Sequence, residues 1–134
     1  MATSERVSVR ERLEEIIGVR TPGEVALVRR ITTSFYDQAT GLLEATVAAA
    51  EAGDAAGARH HAHSLKGKVV NLGGIEVARQ CQELEALARA GDCPAVIRLG
   101  TAVMAALAPF QALVDQVCGE FPELAAPTGE AVNA

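Results

Sequence analysis

The hydrophobic positions of this chain recur at helical spacing, and none of its segments shows the strict alternation of a strand. Val9, Leu13, Ile16 and Ile17 predict a first helix from about Val7 to Ile17, with Gly18 as its stop. Thr21-Pro-Gly reads as a turn in which Thr21 caps and Pro22 takes the first helical position. A second helix follows from about Gly23 to Ala52, burying Val28, Ile31, Phe35, Leu42, Leu43 and Val47. Gly41 weakens it by about 1 kcal/mol relative to alanine, but no proline breaks it. Gly53-Asp54 ends that helix and caps a third, from about Asp54 to Leu72, whose core stripe is Ala58, Ala62, Leu65, Val69 and Leu72. Gly73-Gly74 turns the chain into a fourth helix, Ile75 to about Ala90. Gly91-Asp92 repeats the stop-and-cap pair, and Pro94 opens a fifth helix that continues towards Cys118. Pro109 predicts a kink or break in it.

Four amphipathic helices joined by short turns predict an all-α fold: an antiparallel up-down four-helix bundle, with a short additional N-terminal helix on one end. At 134 residues the chain suits one domain, expected over residues 1–121, with 122–134 as a disordered tail that lacks any period. Composition agrees, with 49% hydrophobic and only 3% aromatic residues. A net charge of −5 withholds electrostatic support from a nucleic-acid role. No apolar run approaches the roughly 18 residues of a membrane span, so no membrane insertion is expected. The start Met1-Ala-Thr-Ser-Glu-Arg lacks the features of a secretory signal, and the expected location is cytoplasmic. Cys81, Cys93 and Cys118 form no CxxC pair and read as small buried hydrophobes.

The candidate chemistry lies in His63-Ser-Leu-Lys-Gly-Lys-Val-Val-Asn-Leu-Gly73 on the third helix. His63 is just off the core stripe. At 100° per residue, Gly67 and Val70 lie within about 40° of it and Lys66 about 60° to one side. A histidine, a cation and a missing side chain thus share one exposed face. Imidazole titrates near neutrality and can attack phosphorus through one nitrogen, giving a labile P–N bond. Lys66 would support the charge of the phosphoryl group, since the helix dipole acts only at the ends. Glycine inside a helix costs about 1 kcal/mol against alanine, so Gly67 needs a reason: a side chain there would crowd the imidazole. No P-loop or kinase Gly-rich loop is present, so the phosphoryl group has to come from a partner.

The His-x-Leu-Lys-Gly run, with Gly73 beyond it, resembles the signature of the histidine-containing phosphotransfer (HPt) domain family over about Gly23 to Cys118. The Ala-Ala-Ala-Glu-Ala-Gly-Asp54 helix end, Cys81-Gln-Glu-Leu-Glu85 and Arg89-Ala-Gly-Asp92 follow the same rhythm. The resemblance implies a phosphorelay carrier rather than an enzyme: His63 as phosphoacceptor, Lys66 as phosphoryl support, Gly67 clearing the approach, and Val70 beside them for docking. It implies receiver domains or a hybrid histidine kinase acting in trans, no cofactor on this chain, and Mg2+ on the receiver. Lys68 departs from the small residue usual in the family and adds a docking charge. Across the Gly73 turn, residues near His63 are expected from about Gln82 to Ala86; Glu85 there would orient the imidazole but oppose a phosphate, where some relatives carry glutamine. His60 and His63, three apart, invite a metal reading, but no local cysteine or carboxylate completes a site, so no metal is expected. The alternative is an HPt-like bundle that serves only as a binding or dimerisation scaffold.

Overall fold

The computed structural model describes residues 2–18 and 21–125, all its regular structure being helical. Six helices follow in order: α1 (Ala2–Ile17), α2 (Pro22–Glu51), α3 (Ala55–Asn71), α4 (Glu76–Arg89), α5 (Cys93–Cys118) and α6 (Pro122–Ala125). Local chemistry accounts for the boundaries. Thr21 Oγ1 accepts from the Glu24 N–H while the Glu24 carboxylate accepts from the Thr21 N–H, a complete capping box at the start of α2. Asp54 and Asp92 cap α3 and α5 by accepting from Gly57 and Ala95 N–H.

The long helices α2 to α5 pack in a ring, α2 on α3, α3 on α4, α4 on α5 and α5 back on α2. Facing pairs show that α2 and α5 run in opposite directions. His63 meets Glu85 across the α3–α4 turn, while Phe35 packs edge-on against Phe110 and Thr32 meets Gln111 between α2 and α5. The core holds every residue of the expected α3 stripe, Ala58, Ala62, Leu65, Val69 and Leu72, together with Phe35, Leu43, Leu84, Leu107 and Phe110. In α2, Val28, Phe35 and Leu43 are buried and Ile31, Leu42 and Val47 are partly buried against them.

Several expectations need correction. The N-terminal helix is not short: α1 has 16 residues against 14 in α4. It is anchored by polar contacts that hydrophobic periodicity does not register. Glu5 accepts from the Ile75 and Glu76 N–H groups, at 2.7 and 2.9 Å, and so caps α4, whose own N-cap residue Ile75 offers no side-chain bond. Arg12 donates to the Asn71 carbonyl and side chain at the end of α3. Gly73 makes this crossing possible: its φ is +80°, and a Cβ there would lie 2.5 Å from the Ser8 carbonyl oxygen.

Pro109 does not break α5, which runs unbroken from Cys93 to Cys118. Ala105, whose carbonyl loses its partner, and Pro109 are both exposed, so water can satisfy the orphaned oxygen. The ordered bundle also extends past Phe121 by the turn α6, because Phe121 and Leu124 are buried; Arg29 bonds the Glu123 carbonyl and Arg10 lies over the Phe121 ring. The rest of the expected tail, 126–134, lies outside the described residues. Helix α5 is long and apolar enough to cross a membrane by length and composition, contrary to the sequence expectation. Here its stripe of Val96, Val103, Leu107, Phe110, Val114 and Val117 is buried in the bundle.

Candidate functional site

Helix α3 carries His63 midway along the bundle, with its side chain 66% exposed. The helical repeat turns Ala62 and Leu65 inward, both fully buried, and leaves His63, Gly67 and Val70 on one exposed strip. Val70 is 53% exposed, an apolar side chain two turns from the imidazole. A Cβ built on Gly67 would meet nothing within 4 Å. The expectation that any side chain would crowd the imidazole is therefore corrected at the level of a methyl group. No clash at the position of a Cβ requires this glycine.

Helix α4 supplies the partner. Glu85 lies on its inward edge, 7% exposed, and Oε2 is 3.0 Å from His63 Nδ1. Lys66 Nζ is 3.0 Å from Oε1, and Arg89 Nη2 is 3.6 Å from Oε2. Burial pushes the Glu85 carboxyl up, but the hydrogen bonds and charges of Lys66 and His63 outweigh it and hold the group below its ordinary value. The carboxyl is thus ionised near neutrality and can only accept. Nδ1 is assigned the proton on that ground, and the free lone pair of the neutral ring is on Nε2.

Oε1 is buried, and the ammonium of Lys66 at 3.0 Å is its ion-pair partner. Of the two α4 residues expected near the imidazole, only Glu85 reaches it; Gln82 is exposed and makes no hydrogen bond among the described residues. Lys68 lies on another side of α3, lining a groove against α2 with Arg30, Phe35 and Asn71.

Sequence reasoning missed Arg89 and Arg59 as neighbours of the imidazole and weighed His60 only as a metal ligand. Arg89 follows Glu85 by one turn, a spacing that signals an ion pair. Arg59 and His60 line a cleft with His63 and Glu85, and their signal was the same one-turn spacing on the N-terminal side of His63. Val9 and Leu13 of α1 are fully buried and add nothing to the exposed strip. No group of three or more metal-ligating side chains gathers among the described residues. Of the cysteines only Cys81 is fully buried, and its thiol is pushed up to about 12 by burial despite the nearby Lys66 charge. Cys93 and Cys118 are half-buried, a correction to the reading of all three as core residues.

A family model for the Hpt domain matches residues 30–120, well over half of the chain. The chain belongs to the Hpt domain family. Searches of curated proteins and of solved structures gave no match. Hpt domains are helical phosphocarrier modules that exchange phosphoryl groups with receiver domains and histidine kinases in two-component signalling. At the family level, histidine phosphotransfer is therefore this domain's function.

Proposed function

We propose that His63 is the phosphoacceptor and that the chain relays a phosphoryl group between receiver aspartates, or from a hybrid kinase, in trans. The reading is carried by one observation: an exposed imidazole whose Nδ1 is held at 3.0 Å by a buried carboxylate. In the step proposed, the Nε2 lone pair attacks the phosphorus of a receiver acyl phosphate. The P–O bond to the aspartate breaks and its electron pair leaves on the aspartate carboxylate. Nδ1 keeps its proton, and the positive charge gained by the ring is stabilised by Glu85. The reverse sequence returns the group.

Lys66 has a part on either side of the reaction. Paired with Glu85, it offsets the carboxylate that would otherwise repel a phosphate; turned towards Nε2, it supports the phosphoryl oxygens. Gly67 and Val70 form the open, partly apolar approach. Mg2+ would be brought by the receiver, this chain supplying no cofactor, and such partners imply a cytoplasmic setting.

The test is incubation with phosphorylated receiver domains, scored for acid-labile, base-stable label. His63→Gln should abolish labelling while helical content stays unchanged, because the ring is outside the core. His60→Gln and His61→Gln should still take label. Full labelling of the His63 variant would sink the assignment and leave the scaffold reading in its place.

A further inference from the structure

Lys66 and Arg89 both lie against Glu85, at 3.0 and 3.6 Å, so the two cations nearest the imidazole on its α4 side already have a counter-charge. The turn of α3 that precedes His63 differs. Helical side chains lean towards the N-terminus of their helix, so the His63 ring covers the turn that holds Arg59 and His60 rather than the turn of Lys66 and Gly67. These residues, with Ala56 and Glu85, line an open cleft of about 340 Å³ beside the ring. Arg59 is exposed and has no carboxylate partner among the described residues. His60 stands beside it, its ring 5.5 Å from that of His61 in an edge-on contact.

We propose that Arg59 is a phosphoryl-binding residue of this site: a cation kept free on the preceding turn for the group that arrives on Nε2. The inference rests on His63 being the phosphoacceptor. Glu85 occupies Nδ1, which leaves Nε2 for the phosphoryl group, and the cleft beside the ring is lined by Arg59 and His60 as well as by Glu85. A guanidinium is permanently charged, and at an exposed site its charge carries the attraction to phosphoryl oxygens. Lys66 and Arg59 then divide the work. Lys66 balances Glu85 in the empty state, and Arg59 meets the new charge in the loaded state.

The experiment needs no identified partner. The full chain is treated with potassium phosphoramidate, whose P–N bond breaks with its electron pair leaving on ammonia as Nε2 takes the phosphoryl group. Labelling rate, lifetime and the phosphorus NMR shift are followed for wild type, Arg59→Gln and Arg59→Lys. Arg59→Gln should shorten the lifetime and slow labelling about fivefold, the size of one half-exposed charge pair, and should move the phosphorus resonance. Arg59→Lys, which keeps the charge, should restore most of both rates. Arg59→Gln behaving as wild type overturns the inference and leaves the phosphoacceptor reading intact. A loss that Arg59→Lys fails to rescue also overturns it, since charge is then not the cause. Wild type taking no label on His63 removes the phosphoacceptor reading itself, and the inference with it.

Discussion

Two glycines inside helices divide this molecule into its two faces. Gly100, in α5, is buried where α5 meets α2, and a Cβ there would lie 2.7 Å from Val47 Cγ2. Gly67, in α3, is exposed beside His63, where a Cβ would meet nothing within 4 Å. Both weaken their helices by similar amounts, about 1 kcal/mol relative to alanine. Only one has a structural reason within the chain. Gly100 lets two helices approach, whereas the open access to His63 that we propose for Gly67 would serve a partner. The α2–α5 face is built for packing, whereas the α3–α4 face, with a buried carboxylate surrounded by cations, is built around charge.

The same substitution at both positions gives the sharpest test. Gly100→Gln should destabilise the bundle by about 3 kcal/mol, through overpacking and a buried amide, read as a lower midpoint in thermal or urea unfolding. Gly67→Gln should be at least as stable as wild type, gaining up to about 1 kcal/mol of helix propensity. It should nonetheless be badly impaired in receiver phosphotransfer. If Gly67→Gln transfers normally, the contrast collapses and the open approach to His63 is not this glycine's purpose.

Lys66→Ala should have a smaller effect, about 1–2 kcal/mol of stability, because Glu85 Oε1 loses the one cation facing it. The bundle should stay folded. Transfer should slow or the phosphorylated lifetime should shorten, with the deficit against wild type greatest at low salt, where the missing attraction is strongest. Kinetics unchanged at every salt concentration would make Lys66 ordinary surface.

The smallest effect is a pH dependence. The Glu85 carboxyl is held below its ordinary value in the folded state, so its contribution is fully present above the unfolded carboxylate value, about 4.3, and is lost as pH falls through the lower folded value. Comparing thermal midpoints of wild type and Glu85→Gln from neutral pH downwards should show a wild-type advantage that fades only on the acid side. An advantage that persists unchanged well below pH ~3 would remove the ion-pair account of Glu85.

Much of this was legible in the residues, for a physical reason that also marks the limit. A helix imposes its own repeat, so apolar spacing located the helices and separated the α3 stripe from the face of His63 without any knowledge of neighbours. Caps act within a few residues, and Thr21, Asp54 and Asp92 could be read for that reason. Pro109 brought no break because its cost depends on whether water reaches the freed carbonyl, which is decided by the fold around α5. Glu5 capping α4 links positions 70 apart, and no local pattern carries it. The turn at Gly73 narrowed the neighbours of His63 to one stretch of α4. It took the rotation of α4 against α3, set by packing of Cys81, Leu84 and Ala88 in the core, to bring Glu85 rather than Gln82 to the imidazole. The sequence by itself determined which side chains share a helix face, since that follows from backbone geometry alone. Which charges meet across helices, and which cation is left free for an incoming phosphoryl group, was decided only when the cores packed and fixed the helices' rotation.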